Sequence, residues 1–302
     1  MLNSSAALEP IIIINLDTFF FSFSSTVLNI PKIPTQIIKK LTFFLFVSFP
    51  SERIWFSSLE SRKRKMGRLG LVVSDLVLSF MWIWAGVLVN ILVHGVLGFS
   101  RSDATGEIVR YLFSIISMFV FAFLQKVSKG GLYNPLTALA SGVSGGFGHF
   151  IFTVVVRIPV EVIGSILAVK HVIHVFPEIG KGPKLNVAIH HGALTEGILT
   201  FFIVMLSMGL TRKIPGSFFM KTWIGSLAKL TLHILGSDLT GGCMNPAAVM
   251  GWAYARGEHI TKEHLLVYWL GPVKATLLAV WFFNVVFKPL TEEQEKPKAK
   301  SE

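Results

Sequence analysis

The stretch GGCMNPAAV, residues 241–249, decides the fold because it places a turn directly before a short apolar segment. The same plan occurs in GGLYNPLTA, residues 130–138: two glycines, two further residues, Asn-Pro and then mostly small or apolar residues. These two Asn-Pro dipeptides are the only ones in the chain. Asn is a favoured N-cap, and Pro is tolerated at the first helical position, where its missing N–H would have no helical partner. Each stretch therefore predicts the start of a helix.

The two predicted helices are too short to cross a membrane. They cover residues 135–147 and 246–257, which is about 12 residues each, or about 18 Å of helix. The hydrocarbon core of a bilayer is about 30 Å thick. We therefore expect paired half-helices whose N-termini meet inside the bilayer, where surrounding protein can enclose their non-helical ends.

The composition is that of a membrane protein. The chain is 52% hydrophobic and 15% charged, with a mean hydropathy of +0.63. Its formal net charge of +11 could suggest nucleic-acid binding, but the basic residues lie between apolar runs, so they are better explained by the excess of Lys and Arg in cytoplasmic loops. The single cysteine, Cys243, excludes an intrachain disulfide and a cysteine-based metal cluster.

Residues 1–65 differ from the rest of the chain. Their apolar runs are interrupted by prolines and lysines, and the segment FFFSFSS, residues 19–25, is of low complexity. A basic cluster, residues 62–65, comes immediately before Met66 and a clean apolar stretch. We expect residues 1–65 to be an extension that is absent from the native protein, with Met66 as its start; an additional anchor or targeting segment is the alternative.

Six apolar stretches predict membrane-spanning helices. They are residues 69–99, 107–123, 150–172, 188–210, 217–235 and 265–287. The third stretch contains Arg157 and Glu161, four residues apart on one helical face, so we expect them to neutralise each other. The segment from residue 288 onward is polar and is predicted to be a basic cytosolic tail.

The stretches form two similar halves. Each half has two spans, a half-helix and a third span, and its first span carries one acid, Asp75 or Glu196. Three spans per half is an odd number, so the second half enters the membrane upside down relative to the first. Lys and Arg counted beside the spans number fourteen on the side of both termini and six on the other, which predicts that both termini are cytosolic.

These features resemble the aquaporin family over residues 66–287. The resemblance rests on Asn-Pro-Ala in the second half, on Asp75 and Glu196, and on YWLGP, residues 268–272, in the last span. Asn-Pro-Leu in the first turn, the basic balance and Ala248 directly after Asn-Pro-Ala are most similar to the second type of plant small basic intrinsic proteins. The resemblance implies an all-α inverted repeat of six transmembrane helices and two re-entrant half-helices. It also implies a homotetramer of separately conducting protomers, located in the endoplasmic reticulum membrane.

The two turns are the expected centre of a pore. Half-helix N-termini carry positive dipole ends that disfavour cations at their meeting point. Asn134 and Asn245 would each donate an N–H to a passing water, although each could instead only cap its helix. The pore motifs are Asn134, Pro135, Leu136, Asn245, Pro246 and Ala247.

The family's outer filter has four positions, located here by spacing from the turns. They fall on Ser114, His233, Gly242 and Ala248. Strictly water-selective relatives have a bulky aromatic residue at the first position and an arginine at the last. Three of the four residues here are small, so the resemblance implies a wider aperture without a fixed cation, in which His233 is the one sizeable polar group.

Other functional interpretations of the sequence are weaker. His171, His174, His190 and His191 lie at span ends or in loops, and their spacings are poor for a metal site, so we expect neither metal nor cofactor. His191 and Glu196 could suggest an intramembrane enzyme, but no nucleophile accompanies them. Lys298 and Lys300 resemble a dilysine retrieval signal, for which a solvated charged tail is the alternative.

The sequence thus predicts a passive channel for water and small neutral solutes in the bilayer, with no nucleic-acid partner. The rival hypothesis is a non-conducting membrane scaffold of the same fold, because Leu136 replaces alanine at the midplane and could narrow the pore.

Overall fold

The computed structural model describes residues 67–180 and 182–287, and in these ranges it contains helices and no strand. The predicted extension of residues 1–65, the start at Met66 and the retrieval signal at Lys298 and Lys300 lie outside the described residues. Where a helix continues through a π turn, we treat it as one helix. In chain order the helices are α1 Arg68–Val96, α2 Ala104–Val127, α3 Pro135–Ser144, α4 Phe147–Val175, α5 Ile189–Arg212, α6 Phe218–Ser237, α7 Pro246–Arg256 and α8 Lys262–Phe287.

Five of the six predicted spans are long and apolar enough to cross a membrane: α1, α2, α4, α5 and α8. The sixth, α6, is a helix of 20 residues, but it contains Lys221, Lys229 and His233, which lower its mean hydropathy. Its polar side chains line cavities inside the protein, as described below. A helix that supplies polar groups to an enclosed cavity can cross a bilayer without exposing them to lipid.

The half-helices begin where the sequence predicts. α3 starts at Pro135 after Asn134, and α7 starts at Pro246 after Asn245. The predicted end of the first half-helix at residue 147 is wrong, because α3 ends at Ser144 and Phe147 already belongs to α4. Gly145 and Gly146 separate the two helices, and Gly146 has a φ of 87°, which favours glycine and ends the helical path.

The two halves pack as an inverted repeat. In the first half, α1 packs against α4 around a buried cluster that includes Trp84 and Val169. In the second half, α5 packs against α8 around a cluster that includes Met208 and Val280. Each half-helix also contacts the last span of the other half, α3 against α8 and α7 against α4. These crossed contacts hold the two Asn-Pro turns against each other.

A proline interrupts the third span of each half at matching places. Pro159 in α4 follows the π turn Thr153–Arg157, and Pro272 in α8 follows the π turn Leu265–Leu270. Proline has no N–H, and its ring clashes with the carbonyl four residues earlier in a regular α-helix. A π turn inserts the wider spacing that the ring requires, so both helices continue past the proline.

The outer face of α2 is apolar. The face of α2 that turns away from the rest of the chain carries exposed aliphatic and aromatic side chains, Leu112, Ile116, Val120 and Phe123. Such a surface suits lipid chains or a neighbouring subunit.

Candidate pore site

The two asparagines join the half-helices end to end. The Oδ1 atom of Asn134 accepts the N–H of Leu136 at 3.0 Å, and its Nδ2 donates to the carbonyl of Met244 at 2.7 Å. Asn245 does the same from the other side, accepting the N–H of Ala248 at 3.4 Å and donating to the carbonyl of Tyr133 at 3.2 Å. Each asparagine therefore caps its own helix and holds the residue before the opposite cap.

Capping does not exhaust the hydrogen-bonding capacity of these side chains. An amide NH₂ group has two N–H bonds. Within residues 67–180 and 182–287, the Nδ2 of Asn134 and that of Asn245 each make one hydrogen bond to protein. One N–H on each asparagine can therefore be offered to a molecule at the meeting point of the half-helices.

A buried ion pair fixes the first turn. Asp75 and Arg157 are 0% and 3% exposed, and Arg157 donates to both carboxylate oxygens at 2.6 and 2.9 Å. Asp75 also accepts the N–H of Leu132 at 2.7 Å, while Arg157 donates to the carbonyl of Gly130 at 2.7 Å. The pair thus binds the loop before Asn134 from both sides.

The predicted pairing of Arg157 with Glu161 is therefore wrong. Arg157 faces Asp75 on α1, and Glu161, although fully buried, has no hydrogen-bond partner for either carboxylate oxygen in the described part of the chain. Spacing on α4 puts Arg157 and Glu161 within reach of each other, but Asp75 and the Gly130 carbonyl together offer the guanidinium more acceptors.

Glu196 fixes the second turn without a cation. Its carboxylate accepts the N–H groups of Cys243 and Met244 at 2.8 and 2.9 Å and the hydroxyl of Thr240 at 2.7 Å. The hydroxyl of Tyr268 donates to the carbonyl of Thr240 at 2.9 Å. Asp75 and Glu196 therefore occupy equivalent positions in the repeat, and both hold the turns through backbone N–H groups.

Two cavities open on either side of the paired turns. The first, which we call the Leu136 cavity, has a volume of about 480 Å³ and is lined by residues that include Asn134, Leu136 and Lys221. The second, the Ala248 cavity, has a volume of about 440 Å³ and is lined by residues that include Asn245 and Ala248. Both are lined by the same three side chains at their junction, Met118, Lys229 and Met244.

All four filter positions inferred from the sequence lie in the wall of the Ala248 cavity: Ser114, His233, Gly242 and Ala248. The Nδ1 of His233 lies 3.1 Å from the carbonyl oxygen of Gly242, and Ser114 donates its hydroxyl to the carbonyl of Arg110 at 2.8 Å. Gly242 has a φ of 52°, and a Cβ atom there would collide with the His233 carbonyl oxygen. Only glycine therefore allows α6 to approach the second turn this closely.

The other residues of the two motifs are packed into the protein. Pro135, Pro246 and Ala247 are buried, and Leu136 is 2% exposed while it still contributes to the wall of the Leu136 cavity. Leu136 therefore occupies space that alanine would leave open in the Leu136 cavity.

Sequence reasoning missed Lys229. Its ammonium nitrogen lies 4.2 Å from the ring centroid of Trp82 and 5.4 Å from that of Tyr133, at the junction of the two cavities. The signal was present, because Lys229 lies in the middle of a predicted span in which a charge should be costly. Tyr133 and Met244 were also missed as wall residues, since both were treated only as spacers of the Asn-Pro plan.

The weaker candidates His171 and Cys243 make other contacts in the structure. The ring of His171 packs on Phe80 and Trp84, with centroid distances of 6.0 and 5.2 Å. In the described ranges, no group of three or more His, Cys, Asp or Glu residues is placed to hold a metal ion. The Sγ of Cys243 lies 3.8 Å from the carbonyl oxygen of Thr240, and the residue forms part of the wall of the Ala248 cavity.

Comparison with known proteins agrees with this architecture. The family model described as major intrinsic protein matches residues 62–283. The aquaglyceroporin of Plasmodium falciparum has a similar fold, with a TM-score of 0.61 at 14% identity, covering 75% of this chain and 100% of that one. The chain therefore belongs to the major intrinsic protein family, whose members are membrane channels rather than enzymes.

Curated relatives narrow the position of the chain within this family. The chain is 92% identical over 237 residues to a protein of Arabidopsis thaliana named probable aquaporin SIP2-1, covering 78% of this chain and 100% of the relative. It is 51% identical over 229 residues to aquaporin SIP2-1 of Zea mays, covering 75% and 91%. Proteins named SIP1 are more distant, for example aquaporin SIP1-1 of Oryza sativa at 33% identity over 246 residues. The resemblance to small basic intrinsic proteins of the second type is thus confirmed.

Proposed function

We propose that the chain is a passive channel for water and small neutral solutes. The observation that carries the proposal is the pair of adjoining cavities, one lined by Asn134 and the other by Asn245, in which each amide keeps one N–H for a passing molecule. A water oxygen that accepts from these amides is turned so that it cannot continue a hydrogen-bonded proton wire. The converging positive ends of α3 and α7 add a barrier to cations.

The wall of the Ala248 cavity supports permeation of solutes larger than water. Ser114, Gly242 and Ala248 are small, and His233 is held by its contact with the Gly242 carbonyl, so its ring fills one side only. A neutral polyol or amide meets hydroxyl, imidazole and backbone groups there. We assign the four residues to a permissive filter.

A non-conducting scaffold is the second candidate. It is favoured by one observation: Leu136 fills part of the Leu136 cavity, and the bulky side chains of Met244 and Lys229 stand where the two cavities meet. If these side chains close the junction, the fold remains intact and no molecule passes.

We further propose that the channel domain is residues 66–287, that it assembles as a homotetramer, and that it resides in the endoplasmic reticulum membrane with both termini cytosolic. The match of 237 residues equals the length of segment 66–302, and it covers all of the Arabidopsis relative. The exposed apolar face of α2 supplies a surface for lipid or for a neighbouring protomer.

The test is flux through purified protein in liposomes. Wild type should accelerate osmotic shrinkage over empty liposomes and should pass glycerol or urea. Ala248→Arg should keep the water flux and reduce the solute flux, because a guanidinium group would occupy the Ala248 cavity; Ala248→Ser is the matched control and should behave as wild type. No excess water flux from correctly assembled wild type would favour the scaffold. Unchanged solute flux in Ala248→Arg would show that Ala248 is not part of the filter.

A further inference from the structure

Lys229 is one of the three residues that line both cavities. It lies on α6 and contributes to the walls of both the Leu136 cavity and the Ala248 cavity. The other two side chains shared by both walls, Met118 and Met244, are apolar and carry no charge. A lysine is costly inside a membrane helix unless a partner or a wet cavity receives it. Here the cavity receives it.

Two aromatic rings, those of Trp82 and Tyr133, hold the Lys229 side chain. Trp82 and Tyr133 stack with their centroids 4.4 Å apart, and Phe121 meets their edges or faces at 5.0 and 5.1 Å. The ammonium nitrogen lies over Trp82 at 4.2 Å. The cation–π attraction fixes the position of the ammonium group, but a ring quadrupole has no net charge and cannot neutralise a cation.

In the part of the chain that the structure describes, no carboxylate pairs with Lys229 either. In residues 67–180 and 182–287 the ion pairs are those of Arg110, Arg157 and Arg256, and none includes Lys229. The buried acids that hold the turns are already engaged, Asp75 by Arg157 and Glu196 by backbone N–H groups. The ammonium charge therefore acts on the contents of the pore.

The four residues of the outer filter include no lysine or arginine, so they supply no fixed positive charge. Ala248 carries no charge, and His233 is the one sizeable polar side chain among the four filter residues. We propose that Lys229 is a fixed cation at the junction of the two cavities and that it excludes cations there, in place of a positive charge at the filter. The proposal rests on the proposed function, because it concerns what the same pore admits.

The size of the effect follows from Coulomb's law. For a monovalent cation that passes about 5 Å from the ammonium group, at an effective dielectric constant of about 20, the repulsion corresponds to roughly a hundredfold lower occupancy. Neutral molecules experience no such net repulsion. The charge can therefore select against ions while it leaves water and neutral solutes free to pass.

The experiment compares ion and water flux in phosphatidylcholine liposomes that contain wild type, Lys229→Met, Lys229→Gln, Lys229→Arg or Lys221→Met. Methionine keeps most of the length of the lysine side chain and can pack on Trp82 without the charge. Lys221→Met is the matched control, since Lys221 lies on the same helix and in the wall of the Leu136 cavity but not at the junction. Potassium flux is followed with a trapped potassium-sensitive dye and proton flux with a trapped pH-sensitive dye.

We expect potassium or proton flux to rise roughly a hundredfold in Lys229→Met or Lys229→Gln. Lys229→Arg and Lys221→Met should show the same low potassium and proton flux as wild type. The use of two neutral variants keeps the test decisive if one fails to assemble, as judged by size-exclusion chromatography in detergent. Ion flux at the wild-type level in every assembled neutral variant, or an equal rise in Lys221→Met, would overturn the proposal.

Water flux in the same liposomes separates this proposal from the proposed function. If wild type passes water and the neutral variants pass no ions, the channel assignment stands and the role of Lys229 is wrong. If wild type passes no water and a neutral variant passes ions, the role of Lys229 stands and the native protein does not conduct water.

Discussion

Removal of one partner from the buried pair of Asp75 and Arg157 should destabilise the protein more than removal of one partner from any other ion pair in the described part of the chain. Both side chains are almost completely excluded from solvent, and together they also bind the N–H of Leu132 and the carbonyl of Gly130. Replacing Arg157 with Met leaves the Asp75 carboxylate buried without its cation. Removal of one partner from such a pair typically costs about 3–5 kcal/mol.

The expected change in melting temperature follows from this cost. For a domain of this size, 1 kcal/mol corresponds to about 2–4 °C, so Arg157→Met should melt roughly 10 °C below wild type. Intrinsic tryptophan fluorescence of the detergent-purified protein measures the transition. The double variant Asp75→Asn with Arg157→Met should recover part of the loss, because no charge remains buried and the Asn side chain still offers Leu132 an acceptor.

Arg110→Met provides the control. Arg110 pairs with Glu107 near the start of α2, where both side chains are partly exposed. Exposed ion pairs contribute about 0–1 kcal/mol, so this variant should melt within a few degrees of wild type. Equal destabilisation by Arg157→Met and Arg110→Met would refute the reasoning, as would a double variant that is no more stable than Arg157→Met alone.

Three further predictions concern the ends of the chain and the second turn. Mass spectrometry of the purified native protein should find no peptide from residues 1–65, and any such peptide would contradict the proposed start. Replacement of Lys298 and Lys300 by alanine should release a tagged protein from the endoplasmic reticulum. Continued retention, seen by microscopy, would show that these two lysines are not the retrieval signal. Gly242→Ala should lower the melting temperature by several degrees, because the positive φ of Gly242 and the adjacent carbonyl leave no room for a Cβ atom. Gly86→Ala is the control and should leave the melting temperature unchanged, because the space around Gly86 is open. Equal melting temperatures of the two variants would be evidence against a tight turn at Gly242.

The fold was predictable because the sequence repeats itself. Two Asn-Pro turns, each with an acid in a preceding span, predict the half-helices and their caps, and the structure places Asp75 and Glu196 on the backbone of those turns. Helix ends were less predictable. The first half-helix stops at Ser144 because two glycines follow, and apolar character alone does not reveal that stop.

The partner of Arg157 was not predictable from its own helix. Spacing on one helix tells which side chains can reach each other, so Glu161 was the natural choice. Asp75 precedes Arg157 by 82 residues and meets it only after α1 packs against α4. A contact between distant segments depends on how the helices cross, which a pattern along one helix does not contain.

Lys229 was missed for a different reason. The spacing from the asparagines that identifies the filter positions selects His233 and not the residue one turn before it. A lysine within a predicted span was itself a sign of a cavity. The positions of the four filter residues in one cavity wall agree with the count, while their role in selectivity stays a prediction.

Osmotic shrinkage of liposomes tests the central claim most directly, namely that water passes through the Leu136 and Ala248 cavities. Wild type should shrink liposomes faster than lipid alone, and Ser114→Trp, which places a large ring in the wall of the Ala248 cavity, should abolish the excess. Shrinkage by wild type no faster than that of empty liposomes would contradict the account, and so would full water flux through assembled Ser114→Trp.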